Sequence, residues 1–147
     1  MPGLNRTAAS ATLHCLTGCA IGEVLGMIVS AAADLSNAVS VVLSVVLAFV
    51  FGYTLTIRPL LSHGLSFRRS ARLALASDSA SIATMELADN GFILLVPGAI
   101  SAGLDTSLFW ASLLVSLVVA FAVAFPLNRW LIGRGKGHAV IHDYHST

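Results

Sequence analysis

Charge is scarce in this 147-residue chain: Asp, Glu, Lys and Arg make up 10% of it, against the roughly 25% of a soluble domain. That scarcity excludes an ordinary water-exposed globular surface. The arginines between the second and third apolar stretches read as topology determinants, and no nucleic-acid partner is expected. Cysteine is nearly absent too. Cys15 and Cys19, the only two, lie four apart, so on one helix their Cβ vectors run side by side and they are not a disulfide framework. There is no phosphate-binding glycine loop, no Gly-x-Ser-x-Gly elbow and no His-Glu-x-x-His helix, and no enzymatic activity is expected.

What remains is apolar. Hydrophobic residues make up 56% of the chain and the mean hydropathy is +0.87. Four long apolar stretches, about 12–33, 35–61, 73–103 and 106–132, each reach the ~20 residues that cross the ~30 Å hydrocarbon layer. The expected fold is all-α: a polytopic membrane helix bundle of four transmembrane helices, forming one domain over residues 1–147. Pro59 should close the second span, while Pro97 and Pro126 should kink the third and fourth. Residues 133–147 form a His-containing tail.

The charges orient the bundle. Four spans put Arg6, Arg58, Arg68, Arg69, Arg72, Arg129, Arg134 and Lys136 on one face, and the positive-inside rule makes that face cytoplasmic. Asp34 and Asp105 mark the outer turns. Trp110 and Trp130 are spaced by about 30 Å on a helix, which suits the two aromatic belts. The expected location is a cell's inner (plasma) membrane, multi-pass, with both termini cytoplasmic. Leu16-Thr17-Gly18-Cys19 has the form of a lipoprotein cleavage box, and Ala31-Ala32-Ala33 that of a small-residue cleavage site. Against both, the segment before Cys19 is short and polar, and cleavage would split the basic residues across the membrane. An uncleaved first span is therefore expected.

Within these spans the exceptions stand out. Cys15, Cys19, Glu23 and Met27 recur every four residues along one stripe, with Gly18, Gly22 and Gly26 beside them, where another helix could approach closely. In the third span Asp78, Ile82, Met85 and Asp89 share a face, flanked by Glu86 and Asn90. Counting from each helix start puts Asp78 level with Cys15 and Cys19, and Met85 and Glu86 level with Glu23 and Met27. Carboxylates at hydrocarbon depth must face the bundle interior or a wet cavity, so the first and third helices should line that interior.

Thiolate, thioether and imidazole are soft or borderline ligands that favour Cu(I) or Zn(II) over Mg or Ca. The expected metal residues are His14, Cys15 and Cys19 at the cytoplasmic mouth, with Glu23, Met85, Glu86 and Asp89 deeper. In the tail His138, His142 and His145 fall at i, i+4 and i+7, one face of a helix, and could gather metal. His63 reads as plain loop. The expected function is binding or translocation of a soft transition-metal cation, with a copper or zinc ion bound. The bland reading is that the sulfurs only pack and the acids only hold helices together. The alternative function is then a non-transporting structural subunit or a redox or haem partner. A homo-oligomer built on the glycine stripe is a further expectation.

His14-Cys15, Gly18-Cys19 and Gly22-Glu23, then Met85-Glu86 with Asp89-Asn90, then Asn128-Arg129-Trp130-Leu131 and Gly135-Lys136-Gly137-His138-Ala139 with His142, resemble a bacterial integral-membrane family catalogued as a domain of unknown function. The resemblance spans nearly the whole chain. It implies a four-helix membrane protein and supplies no activity.

Overall fold

Serine and threonine caps cut the apolar sequence into helices. The computed structural model describes residues 2–141, with side chains for residues 3–139. Four helices carry it: α1 (Pro2–Ala32), α2 (Asn37–Ser62), α3 (Phe67–Leu95) and α4 (Ser107–Gly133), with short 3₁₀ turns at Ala99–Ser101 and Gly137–Ile141. No strand occurs among the described residues. The side chains of Ser36, Ser66 and Thr106 accept hydrogen bonds from the backbone N–H of Val39, Arg69 and Phe109, satisfying amide groups that a helix start leaves unpaired. The two tight turns are built alike. Asp34 (φ 52°) and Gly64 (φ 86°) take the left-handed conformation. Leu35 and Leu65 then bond back to Ser30 and Leu60, and a serine caps the next helix. His63 caps α2, its N–H reaching Pro59 and Leu60 carbonyls.

Several expected boundaries move, among them the start of α3, which lies at Phe67 rather than 73. α1 begins ten residues before the apolar run does, taking Asn5 and Arg6 into the helix, where Arg129 Nε of α4 donates to Asn5 Oδ1 at 2.6 Å. The third span does not continue through Pro97 as a kinked helix. It stops at Leu95, because the residue before a proline is disfavoured in the α region: Val96 is extended, and Gly98 then turns left-handed (φ 79°).

α1, α2 and α4 are long and apolar enough to cross a membrane. α3 has the length but falls short in apolarity, since it carries Asp78, Glu86, Asp89 and Asn90. It is accommodated because those groups point inward. Each helix packs on the next, α4 returns to α1, and α1 meets α3 across the middle. The outside is a shell of Val, Leu and Trp, including Val42, Val46, Leu87, Leu114 and Val118. The inside holds Ser40, Ser44 and Thr56 of α2, Ser112, Ser116 and Asn128 of α4, and three carboxylates of α3. Apolar outside and polar inside is the arrangement that a lipid solvent selects. Trp110 and Trp130 are exposed near opposite ends of α4; Trp110 Nε1 donates to the Leu104 carbonyl, and Arg134 lies over the Trp130 ring.

The glycine stripe faces α2 of the same chain. A Cβ at Gly18 would lie 2.6 Å from Gly52 Cα, one at Gly22 would fall on the Ala48 backbone, and one at Gly26 on Ser44. The small residues of α2, Ser44, Ala48 and Gly52, thus interlock with those of α1. The stripe on which a homo-oligomer was expected is thus filled by α2 within the chain.

Candidate functional site

The helices alternate in direction, so all eight basic residues gather at one end, the basic end, and Asp34 and Asp105 at the other, the acidic end. Three polar clusters run between these ends along the seam of α1 and α3.

The cluster nearest the basic end centres on Asp78, which is fully buried. Thr56 Oγ1 donates to its Oδ2 at 2.5 Å and Ser77 Oγ to its Oδ1 at 2.8 Å. The Cys15 thiol points to Oδ1 at 4.0 Å, and His138 Nδ1 lies 3.4 Å from the same oxygen. His14 Nε2 is 2.8 Å from Thr56 Oγ1. The one hydroxyl proton of Thr56 goes to a carboxylate that can only accept, so His14 must donate; this network assigns the Nε2–H tautomer. His14 and His138 rings sit 5.4 Å apart.

His138, expected to gather metal in the tail with His142 and His145, is buried, because residues 137–141 fold back on α3 and α4. Gly135 and Gly137 allow that reversal, taking φ values of 70° and 58°. His142 and His145 lie outside the described residues.

One turn deeper, Cys19 sits beside the Glu86 carboxyl, and Asn90 Nδ2 donates to Glu86 Oε2 at 3.2 Å. Cys15, Cys19 and Met85, each 1% exposed, belong to one packed cluster with Ile82, Ala48, Ala120 and Ala124. Deeper again, Glu23 adjoins Asp89, with Ser116 of α4 next to Asp89. Asp78 lies level with Cys15 as expected, but deeper the register is offset: Glu86 faces Cys19, and Glu23 faces Asp89. α1 begins ten residues before its apolar run and α3 six before its own, a net shift of about one turn.

Between the first two clusters Asn128 of α4 donates to Thr12 Oγ1 of α1 at 3.0 Å and to Ser81 Oγ of α3 at 2.9 Å. One amide thus ties three helices. Asp78, Thr56, Ser77 and Asn128 were not among the expected site residues. Asp78 and Asn128 carried the same signal as Glu23, a strongly polar side chain inside an apolar span.

The expected metal residues are thus divided. His14, Cys15 and His138 gather at Asp78; Cys19, Met85 and Glu86 lie in the middle; Glu23 and Asp89 stand at the acidic end. Among the described residues no three His, Cys, Asp or Glu side chains converge as a group able to hold a metal ion. Sulfur from Met85 is the donor that could complete a site around the two thiols.

No curated protein and no solved structure matches the chain. Residues 4–137 match the family described as a domain of unknown function (DUF4396), and to that family the chain belongs.

Proposed function

We propose that this membrane protein binds a soft transition-metal cation, Cu(I) or Zn(II), inside its bundle and passes it along the α1–α3 seam. The observation that carries the reading is the burial of Cys15, Cys19 and Met85 in one cluster. Two thiols one helical turn apart and a thioether on the facing helix form a sulfur-rich donor set of the kind that selects Cu(I). Thiolate is the ligating form, so binding releases protons. Asp78 stands beside Cys15 and Glu86 beside Cys19, each an acceptor for the proton its neighbour gives up. Purified full-length protein should carry about one ion per chain, and Cys15→Ser/Cys19→Ser close to none. Met85→Leu preserves volume and should weaken Cu(I) far more than Zn(II), because thioether is a ligand for the softer ion. Equal metal content in wild type and the double variant would defeat the reading.

In this reading the basic end faces the cytoplasm, across the inner membrane. A topology reporter fused after Thr147 should read cytoplasmic and one inserted at Asp105 exterior; the same side for both would overturn the orientation.

A second reading, a non-transporting structural subunit, is favoured by Asn128, whose two hydrogen bonds serve only to join helices. It requires that the cysteine variant lose neither metal nor activity in the membrane.

A further inference from the structure

At the acidic end the four helices part around a cavity of about 70 Å³. Its lining includes Glu23 and Met27 of α1, Ser44 of α2, Asp89 and Asn90 of α3, and Ser112 of α4. A single water needs only about 10–15 Å³ of such space, so the cavity has room for an ion with a few waters. Glu23 is 7% exposed and Asp89 4%. Yet Glu23 Oε1, Asp89 Oδ1 and Ser44 Oγ have no hydrogen-bond partner. No Lys or Arg lines the cavity, and all eight basic residues belong to the opposite end. Glu23 and Asp89 bond to each other, which takes a proton between them, and one oxygen of each is left over beside the cavity, where a cation could take the place of that proton.

We infer that this cavity is a second site, separate from the sulfur cluster, and that it takes a small hard divalent cation of the Mg²⁺, Mn²⁺ or Ca²⁺ class. Charge and donor type point the same way. A divalent ion neutralises two carboxylates, and oxygen ligands with retained waters are what hard cations accept. Glu23 Oε1, Asp89 Oδ1 and Ser44 Oγ supply the direct ligands. Met27 is the one soft atom in the lining and contributes nothing to such an ion. This site stands whether or not the sulfur cluster binds a soft metal.

Mn²⁺ is the probe, read by electron paramagnetic resonance on the purified full chain in detergent, with Ca²⁺ and Mg²⁺ as competitors. Wild type should bind about one Mn²⁺, displaced by Ca²⁺ or Mg²⁺. Replacing even an outer-shell partner of a metal typically costs roughly 10–100-fold in affinity, so Glu23→Gln and Asp89→Asn should each cost at least that. Cys15→Ser/Cys19→Ser should bind Mn²⁺ as wild type does, even where its copper or zinc is lost, which separates this inference from the soft-metal reading. Infrared spectra of wild type need no variant to fold: Mn²⁺ should shift the carboxylate stretching bands. Three results would overturn the site: no Mn²⁺ bound by wild type, Mn²⁺ lost in the cysteine variant, or a protonated-carboxyl band that added Mn²⁺ leaves unchanged.

Discussion

Gly22→Leu is expected to prevent the bundle from assembling, whereas Leu25→Ala, three residues on, leaves it folded. At Gly22 even a single Cβ would lie 2.5 Å from Ala48 Cα, closer than real side-chain contacts come, and the atom it meets is backbone. Nothing there can rotate aside, so α1 and α2 must separate. Overpacking a tight core by a few methylenes costs about 1–3 kcal/mol and occasionally more. Here the extra bulk also opens the closest helix pair of the fold, so the loss should exceed that range. Leu25 is 38% exposed, on the outer shell, and truncating it removes only part of a lipid-facing contact. Gly52→Ala offers an internal comparison. Its new Cβ would meet only Ile82 Cδ1, the flexible end of a side chain, so it should be tolerated better than Gly22→Ala. Unfolding titrations in mixed detergent would measure all four variants. Equal midpoints for Gly22→Leu and Leu25→Ala would mean that the glycines do not hold α1 against α2.

The glycine stripe shows which part of such a fold can be read from residues alone. Its existence is plain from the spacing of Gly18, Gly22 and Gly26, but the spacing is silent about what fills it. The complementary stripe on α2, Ser40, Ser44, Ala48, Gly52 and Thr56, has the same period of four and was equally visible. Pairing the two would have pointed to an intramolecular contact. The polar interior was legible for a related reason. An ionisable group in an apolar span has nowhere to go but inward, so Glu23, Glu86 and Asp89 could be placed before any coordinates. Their partners could not. Pairing depends on the axial offset between α1 and α3, and hydropathy located the start of α1 wrongly by more than two turns. The burial of His138 was not legible either, because nothing in the spacing of the tail histidines reveals that Gly135 and Gly137 turn the chain back onto α3.

Removing the Asp78 carboxylate should undo the basic end of the bundle, and this is the largest effect expected of any single polar side chain. Asp78 collects Thr56 and Ser77 hydroxyls, the Cys15 thiol and the His138 imidazole, and through Thr56 it orients His14. Asp78→Leu strands these donors in a fully buried position. Each buried polar group left without its partner costs about 1–3 kcal/mol. Thr56→Val, by contrast, removes two hydrogen bonds, the one Thr56 donates to Asp78 and the one it accepts from His14, and leaves the carboxylate its other partners. Single interhelical hydrogen bonds in membrane proteins average about 0.6 kcal/mol, so its effect should be small. Asp78→Asn keeps the shape but exchanges an acceptor oxygen for a donor amide, which must then face the Thr56 or Ser77 hydroxyl that already donates. It should fold while losing the docked segment 137–141, because the close approach of His138 Nδ1 to Oδ1 no longer meets a carboxylate. Hydrogen–deuterium exchange reads this directly: amides of residues 138–141 should lose protection in Asp78→Asn and in His138→Ala, with no further loss in the double variant. That non-additivity is the signature of one shared contact. Wild-type protection of 138–141 in Asp78→Asn would show that the segment is held by its packing on α3 and α4 alone, and that the carboxylate serves only α1 and α2.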